Sequence, residues 1–241
     1  MKLIALQIKT SQDFQENLNQ LKELIISCEE DSLILAPELA LSGFSYDRMD
    51  EAAKFSIKAI EELKELSQNK IIALTFITKK ENGYLNTLHI FHNKNIVHTQ
   101  SKVQLFPLGD ELEHFVAGKE NDIKIIEING IKIATLICFE LRFPRLWEKV
   151  KGADIILNPA MWGIKRKDHY ESISKSLALV NQCFVVACNS ADDNMAKGSA
   201  IISPFGNVIK DDSKIKLETI FDDEEIKKVR KYIDIGLNKS V

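Results

Sequence analysis

Short apolar runs, many of them β-branched, recur along the chain at positions 3–8, 33–36, 71–77, 85–91, 96–99, 123–128, 131–137, 155–157, 184–187 and 199–203. Runs of this length predict strands, and the continuous ones predict strands buried on both faces. A longer period appears between some of them. Leu18, Leu21, Leu24 and Ile25 share one face of a helix over 14–30, and Phe55, Ile60, Leu63 and Leu66 share one over 51–68. Helices are also expected near 145–150 and across 168–181. A last helix starts at Asp222, with Glu225 three residues on as in a capping box, and runs to Ile235 before Gly236. Strands alternate with helices early, while 71–100 is strand after strand. The mixture predicts a mixed α/β sheet layered with helices. No Pro/Gly/Ser-rich linker divides the chain, so 1–241 reads as one domain.

Composition narrows the class without naming a chemistry. The 241 residues are 45% hydrophobic and 28% charged, with a net charge of −3 and a pI near 6.0, which suits a soluble globular protein and gives no reason to expect nucleic acid or an anionic membrane as partner. The apolar start ends at Ile8, too soon for a signal peptide, and no apolar run approaches the length of a membrane span. Cys28, Cys138, Cys183 and Cys188 form no C-x-x-C pair and read as reduced thiols of a cytoplasmic protein.

Candidate chemistry sits where the strands end. Glu38 follows "LILAP", Lys102 follows "NIVHTQS", Cys138 follows "IKIATLI" and Asn158 follows "ADIIL". In open α/β sheets the ligand crevice lies beyond the carboxyl ends of the parallel strands, so these groups can converge if their strands are neighbours. A thiol with a pKa of roughly 8.5 needs help to react at neutral pH. A glutamate in reach takes its proton, and a lysine ammonium holds the oxyanion formed when sulfur attacks a carbonyl or nitrile carbon. Alone, Cys138 would read as a core thiol, Glu38 as a turn residue after Pro37 and Lys102 as a solvated loop charge.

Three motifs, in order, resemble those of the carbon–nitrogen hydrolase (nitrilase) superfamily: "APELALSGF" (36–44), "SKVQLFPLGDELEHFVAG" (101–118) and "LICFELRFPRLW" (136–147). "NPAMW" (158–162) and "GSAIISPFGNVI" (198–209) match two further family segments, and the likeness runs from Leu3 to about Phe221. The resemblance implies a four-layer α-β-β-α sandwich, with Glu38 as general base, Lys102 as catalytic lysine, Cys138 as nucleophile and the backbone N–H of Phe139 as second oxyanion donor. A second glutamate is expected in the lysine loop, at Glu111 when counted back from Gly118, with Glu113 as the fallback. The resemblance implies no metal and no organic cofactor. His89 and His92 lie in the strand-rich middle, far from any Cys/Asp cluster. Phe139 and Trp162 are expected as pocket walls. Arg166 or Lys165, in the "KRK" loop, is expected to bind a substrate carboxylate. Arg142 is expected in a structural salt bridge with an acidic neighbour, and the other three cysteines as packing residues.

The sequence departs from the family at Phe139-Glu140, where many relatives carry Tyr-Asp, and in "SLALVNQCFV" (176–185), which lacks the usual arginine and glutamate. The chain also ends soon after its last helix, so a simple homodimer is expected rather than a spiral or ring. A short chain argues against the ligase and transferase branches. The form looks most like the ω-amidase-type branch, which cleaves the terminal amide of a dicarboxylic acid monoamide, a small-molecule substrate. An N-carbamoyl amine or amino-acid hydrolase is the enzyme alternative, and a catalytically silent scaffold or binding subunit is the alternative of another class.

Overall fold

A computed structural model of the chain describes residues 1–237; positions 238–241 of the single domain expected over 1–241 lie outside them. The strands are β1 (Lys2–Leu6), β2 (Ser32–Leu35), β3 (Lys70–Lys80), β4 (Gly83–His92), β5 (Asn95–Ser101), β6 (Ile126–Ile128), β7 (Ile131–Thr135), β8 (Ile155–Ala160), β9 (Phe184–Asn189), β10 (Ala200–Ile202), β11 (Val208–Ile209) and β12 (Lys216–Ile220). The helices are α1 (Phe14–Ser27), α2 (Met49–Leu66), α3 (Glu111–His114), α4 (Pro144–Trp147), α5 (Lys167–Asn181) and α6 (Asp223–Tyr232).

The strands form two six-stranded mixed sheets, ordered β12-β1-β2-β3-β4-β5 and β11-β10-β9-β8-β7-β6. Each has a parallel core, β1-β2-β3 in one and β7-β8-β9 in the other, with antiparallel strands outside it. The period of two sorts β1 between layers. Leu3 and Ala5 join Leu33, Leu35, Ile71 and Ala73 in the core shared with the second sheet, while Ile4 and Leu6 pack with Leu18, Leu21 and Ile25 of α1. On the far side Tyr170, Leu177 and Ala178 of α5 cover the second sheet. Helix, sheet, sheet, helix is the four-layer α-β-β-α sandwich expected from the sequence. Both faces of the central strands are covered, so their sequences are continuous apolar runs.

Helix boundaries follow local chemistry. Asp13 caps α1 by accepting from the N–H groups of Gln15 and Glu16. Asp222 caps α6 through Glu224 rather than through a reciprocal box with Glu225, and that helix stops at Tyr232, short of the expected Ile235. The helix expected near 145–150 is a single α turn followed by a 3-10 turn. Residues 120–122 form another 3-10 turn, which leaves β6 shorter than the run at 123–128 suggested. Strands β11 and β12 were not expected from the sequence, and both lie at sheet edges. No described helix is long and apolar enough to cross a membrane.

Candidate active site

The carboxyl ends of β2, β5, β7 and β8 meet at one end of the sandwich. Glu38 lies past β2, and its N–H donates to the carbonyl of Ala160 at the end of β8 (3.2 Å), which ties the two sheets together there. The next residue, Leu39, has φ 49° and gives its N–H to Thr75 Oγ1 (2.6 Å). Lys102 follows β5 directly. Its N–H donates to the carbonyl of Asn86 and its carbonyl accepts from Gly118, both at 2.8 Å. Gly118 is there because the backbones nearly touch: a Cβ would sit 2.2 Å from the Ser101 carbonyl oxygen. Cys138 follows β7 on a tight turn with φ 49°, in the left-handed region that a residue with a Cβ enters only under constraint.

Glu38 and Lys102 are both fully buried, and Glu111 is 2% exposed. The Lys102 ammonium donates to Glu38 Oε1 and to Glu111 Oε1, each at 2.7 Å. Asn86 Nδ2 adds a donor to Glu38 Oε1 (2.8 Å), and Glu111 Oε2 accepts from the Phe106 N–H (3.1 Å). Glu38 Oε2 is buried and takes no regular hydrogen bond. The Cys138 thiol lies near enough to that carboxylate to feel its charge.

Charge then assigns the protons. Burial alone would lower the Lys102 pKa, but the carboxylates of Glu38 and Glu111 outweigh it and hold the ammonium above its ordinary value. Burial pushes Glu111 up to about 7, against the pull of Lys102 and with the Glu38 charge adding to the rise. Burial, then the Glu38 charge, raises the Cys138 thiol well above its usual range, with Lys102 opposing. The resting thiol is protonated and its neighbour is a fixed cation.

The thiol opens into a narrow pocket lined by Phe106, Cys138, Phe139, Arg142, Met161, Trp162 and Arg166, with about 20 Å³ of free space. Phe139 packs edge-on against Phe106 (5.0 Å between centroids) and Phe143 (5.1 Å). The Arg142 guanidinium lies 4.5 Å from the Trp162 ring centre and its Nη2 is 3.0 Å from His169 Nδ1; Arg166 lies 5.0 Å from the Phe106 ring centre. Burial, and then the charge of Arg166, lowers the Arg142 pKa. Among the described residues neither guanidinium has a carboxylate in ion-pair distance, which corrects the salt bridge expected of Arg142. The wider cleft under α6, about 800 Å³, contains none of these residues.

Sequence expectations fare unevenly here. Glu38, Lys102, Glu111 and Cys138 come together, and Phe139, Trp162 and Arg166 line the pocket beside the thiol. Glu113 is exposed and faces another cleft, while Lys165 is exposed outside the pocket. Asn158 lies inside β8 rather than past it, with its side-chain amide donating to the Leu136 carbonyl. Asn86 was missed; its signal is one amide among the apolar positions of β4, buried at a core site. Cys28, Cys183 and Cys188 are buried as expected, their thiols raised by burial. Buried His89 is pushed down to about 4 by the same cause. Among the described residues no group of three or more His, Cys, Asp or Glu side chains is arranged to hold a metal.

The chain as a whole carries a likeness to known proteins. The sequence model of the carbon–nitrogen hydrolase family matches residues 3–233. A 2-oxoglutaramate amidase of Bacillus subtilis (strain 168) is 32% identical over 188 residues, covering 73% of this chain and 72% of that one. The omega-amidase YafV of Escherichia coli (strain K12) is 30% identical over 187 residues, covering 73% and 71%. In structure, the chain resembles XC1258 of Xanthomonas campestris, a CN-hydrolase superfamily protein, with a TM-score of 0.85 at 21% identity, covering 100% of this chain and 97% of that one. The chain belongs to the carbon–nitrogen hydrolase family.

Proposed function

We propose that the chain is an amidase that hydrolyses the terminal amide of a small dicarboxylic acid monoamide through a Cys138 thioester, with Glu38, Lys102 and Cys138 as the catalytic triad. One observation carries this reading. A fully buried ammonium is clamped between two carboxylates, and one of those, Glu38, keeps an unused oxygen in reach of a thiol set on a left-handed turn.

The roles follow by elimination. Lys102 is held as a cation and cannot take the thiol proton. Glu111 spends one oxygen on Lys102 and the other on the Phe106 N–H. Glu38 Oε2 remains as the base. As sulfur bonds to the amide carbon, the S–H proton passes to Glu38 and the carbonyl electron pair moves to oxygen. Lys102 and the Phe139 N–H hold that oxyanion in a water-poor site where such contacts are strongest. When it collapses, the C–N bond breaks and the nitrogen takes the proton from Glu38, leaving as ammonia. Glu38 then takes a proton from water, whose oxygen attacks the thioester. The C–S bond breaks and the proton returns to sulfur.

Arg142 and Arg166 supply the substrate preference. Two guanidinium groups without carboxylate partners, at the mouth of a pocket otherwise walled by Phe106, Phe139, Met161 and Trp162, favour a short acyl chain ending in a carboxylate. The pocket's free space holds about one water, so a substrate enters only as these side chains part. The relatives named above as amidases of this kind support the same class. A single catalytic domain, a homodimer and a cytoplasmic location belong to the same proposal. Exposed Ile164, Leu179 and Val180, on and before α5, give a second copy apolar surface to cover, and four unpaired buried thiols suit a reducing compartment.

The test is ammonia release from ω-amides of dicarboxylates, carbamoyl amines and nitriles, beside a Cys138→Ala control. Turnover of the ω-amides that vanishes in the control is the expected result. Turnover confined to carbamoyl compounds would replace the substrate class, and an inert Cys138 would remove the enzyme reading.

A further inference from the structure

Glu140 is fully buried two residues past Cys138, and no step above uses it. Its carboxylate makes two short bonds to backbone donors in different loops. Oε2 accepts from the N–H of Ile137, immediately before Cys138, and Oε1 accepts from the N–H of Val103, immediately after Lys102, each at 2.6 Å. One side chain therefore joins the turn that presents the thiol to the loop that presents the ammonium. The need is physical. A left-handed, non-glycine φ costs on the order of 1–3 kcal/mol and persists only where its surroundings impose it. On the other side, Val103 follows Lys102 directly, so its bond to Glu140 acts on the backbone next to the residue that carries the ammonium.

We propose that Glu140 is a positioning residue: it fixes Cys138 Sγ relative to Lys102 Nζ by bridging the two loops, and it needs both acceptor oxygens to do so. The inference rests on Cys138 being the nucleophile. Glutamine fills the same space but offers one oxygen and one NH2 group, so an amide donor would face one of the two N–H groups. The bridge would open on one side, and the thiol would drift from its cation while Met161, Trp162 and Arg166, which follow β8, stayed in place.

Two variants, Glu140→Gln and Glu140→Asp, separate this from a packing role. Three quantities are read on each: kcat and KM for an ω-amide, the rate of Cys138 alkylation by iodoacetamide located by peptide mass spectrometry, and the thermal unfolding midpoint. In Glu140→Gln, kcat and the alkylation rate are expected to fall about 100-fold, because misplacement by an ångström costs that much, with KM changed by less than about threefold. Glu140→Asp keeps both oxygens on a shorter stem and is expected to fall between. Unchanged kcat and alkylation in a Glu140→Gln chain that merely melts earlier would overturn the proposal. If that variant does not fold, Glu140→Asp decides alone: slower alkylation in a folded chain supports the bridge, and an unaltered rate overturns it. An original chain whose Cys138 does not react would overturn the proposed function and the bridge with it.

Discussion

Replacing Lys102 by methionine keeps most of the side chain, up to the position of Cε, and removes the charge that holds two carboxylates together. Glu38 Oε1 and Glu111 Oε1 each lie 2.7 Å from the ammonium, so the two oxygens are no more than about 5.4 Å apart. With an effective dielectric constant of about 20, each ammonium contact is worth about 6 kcal/mol and the carboxylate repulsion at least about 3 kcal/mol. The methionine variant loses the attraction and keeps the repulsion, in a site without water to screen it. Breaking such a buried pair costs about 3–5 kcal/mol in stability. The carboxylates respond by binding a proton. A carboxylate whose folded pKa is raised contributes stability that is present at low pH and lost as pH rises through that folded value. Lys102→Met is therefore expected to be destabilised by about 3–5 kcal/mol at pH 8 and to regain up to about 3 kcal/mol of that by pH 5.5, at 1.36 kcal/mol per pH unit for one extra bound proton. Urea unfolding followed by the fluorescence of Trp147 and Trp162 at the two pH values measures both. A variant as stable as the original at pH 8, with the same pH dependence, would refute the dry, mutually dependent ion cluster on which the site is built.

Further outcomes follow from single contacts. Arg142→Ala and Arg166→Ala are each expected to raise KM for an anionic ω-amide about 10- to 100-fold, the worth of a charge-assisted bond, and to leave a neutral amide almost unaffected; equal losses on both would remove the carboxylate role. In the original chain Glu111 and Glu140 are both pushed up to about 7 by burial, so each contributes stability that is full below about 4.5 and falls away as pH rises towards 7. Each is worth about 3 kcal/mol across that window. Buried His89, pushed down to about 4, and His98, also lowered by burial, act in the opposite sense as pH falls below about 6.5, and so do exposed carboxylates such as Asp50 and Glu51, which water screens; the two buried glutamates outweigh them, so unfolding free energy is expected to be lower at pH 8 than at pH 5. Stability that rises between those two pH values would contradict it. Gly118→Ala drives a methyl into the Ser101 carbonyl, and is expected to cost about 3 kcal/mol in urea unfolding while moving Lys102 enough to lower kcat.

What the sequence made legible was what burial on both faces imposes. The runs at 33–36 and 155–157 contain no polar position, and 71–77 only Thr75, because helices or the other sheet cover each side of β2, β3 and β8, and the strand exits marked Glu38, Lys102 and Cys138 as neighbours. β11 and β12 escaped because a strand at a sheet edge needs no apolar run: Val208 and Ile209 are exposed, and β12 alternates through Glu218. Glu111 and Glu113 are separable only once the turn of α3 aims one inward and one to solvent. Arg142 looked like half of an ion pair because an isolated arginine usually finds a carboxylate; its position over Trp162, facing Arg166, depends on how α5 approaches the Cys138 turn. Asn86 and Glu140 left the faintest traces. Asn86 is one amide whose partner lies far away in sequence, and Glu140, though it sits in the nucleophile segment, takes its partners from the backbone, which side-chain patterns do not show.

The covalent step gives the most direct test. The chain would be mixed with an ω-amide, quenched in acid within one turnover, digested and examined by mass spectrometry. The account predicts an acyl mass on the peptide carrying Cys138, at a level that rises and falls with ammonia release, and no ammonia from Cys138→Ala. Ammonia release with Cys138 unmodified, and undiminished in Cys138→Ala, would contradict it.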